Sequence, residues 1–517
     1  MIVISPINAE NNDTNEIISE IELNSISSTN FDLLNDDSSN LKDQINDAKN
    51  NEKIIIKPGT YKIHNIQINK NITLQGNGNP QEVIIDGEKK SSIFLIRNPN
   101  VHITFKNITF INGLTDNFGG AISIETGNVY VDNCIFINNT ALDKTNAGAI
   151  SNYGTKENRG YLFVNNSLFL NNHADHDGGA ITTCYANSDI YNCVFINNTA
   201  IRDGGAIRVS IKGYGNVQDC IFMFNHADEW GGAYYSWSGE SNIERCIFMN
   251  NTAGTNGGAV MVSGDINLQD SIIVNNKGGE TGGSFYIQNP MYNAVTVMNI
   301  QNNLITNNSS PYGKEIFIKW DSFYSYNLYT NFDDNDWGDE DPNDSSVIDP
   351  DEVTPRSKVS KTIKSDLFNR LNVNLLNKYK DLLGDYFPND SLNELQKQFS
   401  KNTPHNGNNI SHPETKTEKK PNLSKDDELK TNHMDNTSDN NIINTNIDSN
   451  VKTVDSLNKI VVGNSSSHGE DDKAYELNET GGSAVKQINS NLKYIIITVI
   501  IALILLIIGY KRHEKDE

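Results

Sequence analysis

Acidic and basic side chains that could support acid–base chemistry recur just before a repeated glycine pair. Two successive repeats hold five of them at aligned positions: Asp175, His176, Asp177, Arg202 and Asp203. If neighbouring repeats stack as strands about 4.8 Å apart, Asp177 and Asp203 lie side by side. Carboxylates at that distance shift each other's pKa, support proton transfer or bind Ca²⁺. The alternative is a solvated turn, in which Asp before Gly only shapes the backbone.

A second candidate is a set of aromatic and large apolar residues. Trp230, Tyr235 and Trp237 stand where sibling repeats hold smaller or polar residues, and Met261 and Tyr286 align with Tyr235. Side chains alternate along a strand. If Tyr234 points inward, Tyr235 and Trp237 therefore point outward. Outward aromatic rows can stack on sugars or fill a protein interface. The alternative is a local packing cluster.

The elements that must position these residues come from a block that returns seven times between residues 107 and 287. Each block joins a Gly-Gly-Ala-Ile-like step, a short strand and an Asn-Cys-Ile-Phe-Ile-Asn-Asn-like run, with successive steps 25 to 31 residues apart. Such a period is typical of a solenoid, in which each unit buries its apolar face against its neighbours. The sequence therefore predicts an all-β, single-stranded parallel β-helix of roughly ten coils over residues 54–345.

Two columns of the block predict packed ladders. Asn pairs recur at one corner, and Asn both tolerates the left-handed backbone region and bonds neighbouring backbone, so they can form a ladder across coils. Four of the five cysteines share one position, and serine takes that position in two other repeats. This exchange favours free buried thiols over a disulfide framework. The four are Cys134, Cys193, Cys220 and Cys246.

The remainder of the chain predicts display at a membrane. The uncharged segment Tyr494 to Tyr510 is long enough to span a bilayer, and the bases after it place the C-terminus inside. The net charge of −23 disfavours nucleic-acid binding. No P-loop, zinc spacing or Ser-His-Asp arrangement is present, so we expect no metal or other cofactor beyond Ca²⁺ at the acidic positions. The predicted segments are a leader remnant (1–37), a capping helix (38–53), a partly helical linker (346–400), a disordered stalk (401–491), a transmembrane helix (492–510) and a cytoplasmic tail (511–517).

Several stretches resemble known families. Lys57-Pro-Gly-Thr-Tyr61 and Ile72-Thr-Leu-Gln-Gly76 look like the opening of pectate-lyase-like right-handed parallel β-helices. Gly179-Ala-Ile181 followed by Phe195-Ile-Asn-Asn198 is similar to polymorphic outer-membrane protein repeats. With Asn335-Asp-Trp-Gly338 after the last coil and a C-terminal apolar segment, the layout resembles adhesin-like surface proteins of methanogenic archaea. The resemblance implies a right-handed coil and a role in adhesion.

The sequence thus predicts a cell-surface, adhesin-like binding protein, with most of the chain outside the cell, that binds glycans or surface proteins of other cells. We expect it not to be an enzyme, because the hydrolase motifs of the resembling fold family are absent. The alternatives are an extracellular polysaccharide lyase or hydrolase and a structural envelope protein.

Overall fold

Residues 38–288, 295–319, 327–350, 367 and 371–383 are described by a computed structural model of the chain. Within them, strands of successive coils pair in parallel and form three long sheets. This arrangement confirms the predicted parallel β-helix. None of the helices in the described ranges combines the length and the apolar character needed to span a bilayer. Outside those ranges lie the predicted leader, stalk, cytoplasmic tail and membrane segment Tyr494 to Tyr510.

The strands have the following bounds. Sheet A has 20 strands: Glu52–Ile56, Ile66–Gln67, Ile72–Gly76, Phe94–Ile96, His102–Lys106, Ile122–Ile124, Asn128–Asp132, Ile150–Tyr153, Tyr161–Asn165, Ile181–Cys184, Asn187–Tyr191, Ile207–Ser210, Tyr214–Gln218, Tyr234–Glu244, Val260–Gln269, Phe285–Gln288, Val295–Gln301, Ile316–Lys319, Asn327–Asn331 and Ile348–Pro350. Sheet B has 10: Gly59–Lys62, Val83–Asp86, Thr109–Ile111, Ile135–Ile137, Leu168–Leu170, Val194–Ile196, Ile221–Met223, Ile247–Met249, Ile272–Val274 and Leu304–Thr306. Sheet C has 7: Leu114–Thr115, Thr140–Ala141, His173–Ala174, Thr199–Ala200, His226–Ala227, Thr252–Ala253 and Lys277–Gly278.

Each central coil follows the same path through the three sheets. A two-residue strand of sheet C leads to the glycine pair, two strands of sheet A follow, and a three-residue strand of sheet B completes the coil. We call the two sets of sheet A strands A1 and A2. Ile181–Cys184 is an A1 strand and Asn187–Tyr191 is the A2 strand after it. In Tyr234–Glu244 the two are continuous, with a register shift at the junction.

The predicted asparagine ladder is present, and each Asn pair has two roles. Asn197 has φ +52° and forms the corner. The next residue, Asn198, is fully buried and donates from its backbone N and its Nδ2 to Asn225 Oδ1, both at 3.0 Å. Buried polar groups cost free energy unless they are hydrogen-bonded, so the ladder stabilises the stacking of coils. Its members are Asn139, Asn172, Asn198, Asn225, Asn251, Asn276 and Asn308.

Stacked phenylalanines fill the interior at the spacing of the coils. Successive ring centroids in sheet B are 4.7 to 4.9 Å apart, so every coil repeats the same packing one rung further on. The stacked rings are Phe110, Phe136, Phe169, Phe195, Phe222 and Phe248.

All five cysteines are free and buried, which confirms the prediction of unpaired thiols.

The glycine pair is required by two separate contacts. Gly178 has φ +67°, a region that residues with a Cβ rarely adopt. A Cβ on Gly179 would lie 2.2 Å from the carbonyl oxygen of Gly205 in the next coil. The turn can therefore lie close to the turns of the adjacent coils. This close approach affects which outer surfaces are accessible to solvent.

Helical segments cover two parts of the β-helix. Helix Ser38–Asp47 buries Leu41 and Ile45 in the same core as the first coil. Sheet B is apolar on its outer side too, and the 3₁₀ helix Val373–Tyr379 and helix Lys380–Leu383 pack there. We call residue 367 together with residues 371–383 the strap. A further 3₁₀ helix spans Pro80–Glu82.

The strap occupies part of the range predicted as a linker. Its apolar side chains share one buried cluster with the outer side of sheet B. Lys378 Nζ and the Tyr379 hydroxyl both donate to the backbone oxygen of Asn166, at 2.8 and 2.5 Å. In the described part of the range 346–400, the chain therefore contacts the β-helix directly, and the last sheet A strand reaches Pro350. The apolar strap residues are Leu367, Leu371, Leu375, Leu376, Tyr379 and Leu383.

Candidate functional site

The structure brings together four of the five predicted acid–base residues. Arg202 Nε lies 3.3 Å from Asp177 Oδ1 and 3.2 Å from Asp203 Oδ2, so one guanidinium joins the carboxylates of two coils. His176 Nδ1 lies 3.0 Å from Asp177 Oδ2. Arg208, which the sequence did not single out, adds an ion pair of 3.0 Å to the same Asp177 oxygen. We call these five residues the buried ionic cluster.

Asp175 lies elsewhere. Its Oδ1 is 3.1 Å from His173 Nε2, and its Oδ2 accepts a hydrogen bond from the backbone N of Asp143. The other ring nitrogen of His173 lies 2.7 Å from Thr199 Oγ1, along sheet C. Asp175 therefore belongs to a polar row on sheet C, not to the ionic cluster.

The hydrogen bonds fix the tautomer of His176. Arg202 Nη1 is 2.7 Å from His176 Nε2, and a guanidinium can only donate, so Nε2 accepts. The proton is then on Nδ1, which faces Asp177 Oδ2 and Asn146 Oδ1. The imidazole ring thus links Arg202 to Asp177.

The two carboxyl groups of the cluster differ in protonation. Burial tends to raise the pKa of Asp177, but Arg208, His176 and Arg202 outweigh burial and leave this pKa below its usual range. Burial and the neighbouring charge of Asp177 raise the pKa of Asp203 well above its usual range. Asp203 Oδ1 is buried and has no hydrogen-bond partner in the part of the chain that the structure describes. Of the two carboxyl groups, Asp177 therefore loses its proton more readily than Asp203.

The cluster is poorly placed for chemistry on a polymer. Asp177 and Asp203 are both 0% exposed, so they are not a solvated turn, and a substrate cannot reach their carboxylates. Across the described ranges, no group of three or more His, Cys, Asp or Glu side chains is placed to hold a metal ion. The geometry instead joins adjacent coils through buried charge.

The predicted aromatic binding face is also buried, which corrects the expectation of an accessible surface. Tyr234 lies in the interior core and Tyr235 lies outside it, so the predicted alternation is right. However, Tyr235 is only 2% exposed and Trp237 only 5%. Met261 and Tyr286 are buried in the same outer cluster. These residues form a packing cluster.

The turn before the glycine pair causes this burial. Trp230 in that turn forms parallel bridges to Asp203 and Asn256 of the neighbouring coils, so the turns make a narrow extra ladder outside A1. A Cβ on Gly204 would lie 3.1 Å from Tyr235 Cβ, which shows the turn backbone directly over that side chain. The Trp230 ring is only partly buried and lies 6.4 Å from Trp237.

A second aromatic group, which the sequence analysis missed, lies on the outer side of the A2 strands. Tyr130 is 36% exposed and its ring centroid lies 6.0 Å from that of Phe163, which in turn lies 5.6 Å from that of Tyr191. Tyr161 lies 6.0 Å from Tyr130 in the neighbouring column. Their signal in the sequence was strict alternation within each A2 strand, as in Asn128-Val-Tyr-Val and Tyr161-Leu-Phe-Val.

Polar side chains continue this surface along the coils. Asp189 accepts hydrogen bonds from the Tyr161 hydroxyl at 2.5 Å and from Asn216 Nδ2 at 2.8 Å. Asn242 Nδ2 donates to Asn216 Oδ1 at 3.0 Å, and Asn267 Nδ2 to Asn242 Oδ1 at 2.8 Å. Aromatic rings, one carboxylate and a row of amides therefore lie on one outer side, where Asn216 is buried and Asn242 and Asn267 are half-buried. We call it the aromatic–amide face: Tyr130, Tyr161, Phe163, Asp189, Tyr191, Tyr214, Asn216, Asn242 and Asn267.

Comparison with known proteins gives a repeat family and a set of structures. Residues 166–183, 192–210 and 245–263 match the Chlamydia polymorphic membrane protein repeat. This supports the resemblance to polymorphic outer-membrane protein repeats. No curated protein matches the chain.

Similar solved structures include polysaccharide lyases of family PL6. An alginate lyase in complex with a trisaccharide is 12% identical, with a TM-score of 0.28, over 63% of this chain and 88% of its own. A mannuronic-acid-specific lyase from human gut microbiota is 12% identical, with a TM-score of 0.29, over 65% and 97%. The alginate lyase AlyGC is 15% identical, with a TM-score of 0.27, over 61% and 53%. At these values the likeness carries no statement about activity.

Proposed function

We propose that this protein is an adhesin-like binding protein, displayed at a cell surface, that binds glycans through the aromatic–amide face. The observation that carries the proposal is the combination of accessible aromatic rings with Asp189 and side-chain amides on one rigid sheet. Aromatic faces pack against the apolar faces of sugar rings, and a few fixed polar groups orient the hydroxyls. The match to polymorphic membrane protein repeats supports surface display.

The display itself is the second part of the proposal. The segment Tyr494 to Tyr510 anchors the chain in the cell membrane, and residues 401–491 act as a stalk outside the cell. The uncharged length of the segment and the bases that follow it support this orientation. Protease treatment of intact cells should remove the β-helix while an epitope after residue 511 stays protected.

The binding is tested by immobilised glycans and the full chain. Tyr130→Ala combined with Tyr191→Ala should reduce affinity about tenfold or more, because two stacking surfaces are lost. Tyr312→Ala is the matched control, because Tyr312 is 63% exposed but lies in a turn before Gly313, away from the A2 strands. Equal affinity of the double variant and the control variant would exclude the aromatic–amide face.

The same samples separate binding from degradation. A polysaccharide lyase would release unsaturated products, and a hydrolase would release reducing ends, from the glycan that it binds. The proposed binding protein should release neither during long incubation. Product formation by the parent chain that persists in the double variant would favour the enzyme alternative.

A further inference from the structure

The aromatic–amide face repeats at the spacing of the coils. Asp189, Asn216, Asn242 and Asn267 stand in register on four consecutive A2 strands. Stacked rings give a rung spacing of 4.7 to 4.9 Å along this direction. Across the strands, by contrast, an A2 strand offers only three outward positions, as in Asn187–Tyr191. A ligand that uses the repeat must therefore be a linear chain lying along the β-helix axis.

The polar groups of the face have capacity left for hydroxyl groups. A carboxylate has about four acceptor sites, and Asp189 uses its oxygens for Tyr161 and Asn216. An amide has two N–H groups and two lone pairs, so Asn242 and Asn267 can bond a ligand while they bond each other. Such groups suit polyhydroxylated ligands at each rung.

The charge of the face excludes anions. Asp189 lies at the centre of the face, and the charge of Asp189 acts on the surrounding tyrosine hydroxyls. Partial burial, followed by the charge of Asp189, raises the pKa of Tyr161, Tyr191 and Tyr214. A ligand carboxylate beside Asp189 would meet the same repulsion.

The cations near the face differ in their partners. Arg159 is exposed, and its Nη1 donates to Asn187 Oδ1, in the column of Tyr161 and Tyr214, at 3.5 Å. Lys106 Nζ lies 2.9 Å from Asp132 Oδ2, at the border of the face. Arg245 donates two hydrogen bonds to Asp219, both of 2.9 Å. Glu240 and Asp265 add two more acids in the column of Tyr214. Asp189, Glu240 and Asp265 outnumber Arg159, so the face presents net negative charge to a ligand.

We infer that the ligand is a linear, uncharged polysaccharide that lies along the coil axis, and that polyuronates are rejected. This inference rests on the proposed function and adds the ligand class. Like charges brought together in a specific site lower affinity, and specificity against a competitor needs such a repulsive element. Asp189 is that element.

The test compares polymers that differ only at C6. The full chain is titrated at low ionic strength with β-1,4-mannan and β-1,4-polymannuronate, and with a galactan and a polygalacturonate of the same linkage. We expect the neutral member of a pair to bind about tenfold or more tightly, the size of effect that one unfavourable charge contact produces near a protein surface. Added salt should reduce the difference, because exposed charges are screened.

Two variants test whether the aromatic–amide face causes the difference in affinity between the neutral and the charged polymer. Asp189→Asn should weaken discrimination against the polyuronate, whereas Glu280→Gln, an equal charge change at an exposed turn, should leave it unchanged. Tighter binding of the polyuronate, or equal binding of both members, would overturn the inference but keep the proposed function. Failure of both pairs and of the glycan array to bind would remove the proposed function itself.

Discussion

Two aromatic groups lie outside the same sheet, and they differ in exposure: the strand residues are buried on A1 and accessible or half-buried on A2. On A1, Tyr235 and Trp237 are covered by the turn before the glycine pair, and Trp230 of that turn packs on them. On A2, Tyr130 is accessible and Phe163 is half-buried among the residues that the structure describes. Alternation along a strand thus decides which side chains leave the interior, while the turns decide which of them reach solvent.

The same turn explains the contrast between two acidic groups. Asp177 and Asp203 lie within it and are buried with Arg202 and Arg208. Asp189 lies on A2 and accepts from a phenol and an amide at the surface. Buried charges must be paired inside the protein, whereas a surface carboxylate can accept bonds from a ligand. We therefore propose that A1 contributes to stability and that A2 binds the ligand.

The largest expected effect comes from the covered aromatic cluster. Trp237→Ala should lower the free energy of unfolding by about 4 kcal/mol, because a large buried side chain leaves a cavity. Tyr130→Ala should change it by about 0.5 kcal/mol or less, as for other exposed positions. Denaturant unfolding followed by circular dichroism measures both. Similar losses for the two variants would break the distinction between A1 and A2.

Removal of one buried cation should be nearly as costly. Arg208→Met leaves Asp177 with less compensation for its charge and should cost about 3 kcal/mol. Arg245→Met is the control, because its ion pair with Asp219 is partly exposed and worth about 1 kcal/mol or less. The same unfolding assay applies. If Arg208→Met is as mild as the control, the cluster does not hold the coils together.

A smaller effect is expected in the pH dependence of stability. A carboxyl whose pKa is raised on folding binds more protons in the folded state, so stability falls as pH rises above the unfolded pKa. Asp203 has this sign, and so does Glu315, whose pKa burial raises to about 7. Glu315 therefore contributes a fall between about pH 4.5 and 7. Both contributions should appear as a decline from mildly acidic towards neutral pH.

Variants separate the two contributions. Glu315→Gln should remove the part of the decline that ends near pH 7. Asp203→Asn in that background should flatten the rest, because the buried proton is then replaced by an amide. Unfolding free energies are measured from pH 4.5 to 8. If Asp203→Asn leaves the remaining decline unchanged, the pKa of Asp203 is not raised on folding.

Much of the scaffold could be predicted from the sequence, because its positions are repeated. Three positions recur in successive coils, and a single packing contact explains each of them: the buried Asn198, the stacked Phe195 and the glycine before Ala206. The repeat period gave the parallel β-helix and its approximate number of coils. Local rules of backbone conformation and burial were sufficient for these features.

The accessible surfaces could not be predicted in the same way. Tyr235 is buried by the turn at the glycine pair of the preceding coil. The outer side of sheet B is covered by residues far along the chain, such as Tyr379. The column of the aromatic–amide face changes from Tyr130 to Phe163 to Asp189, so it shows no repeated residue type. Such contacts depend on tertiary arrangement, which periodicity does not encode.

Oxidative footprinting of the full chain, with and without the neutral polysaccharide that it binds, tests the central claim most directly. Hydroxyl radicals modify accessible aromatic side chains, so Tyr130 should react in the free protein and Trp237 should not. Addition of the polysaccharide should protect Tyr130 and Tyr191 several-fold and leave Tyr312 unchanged. Reaction at Trp237 with protection by the ligand, while Tyr130 stays unprotected, would contradict the assignment of binding to A2.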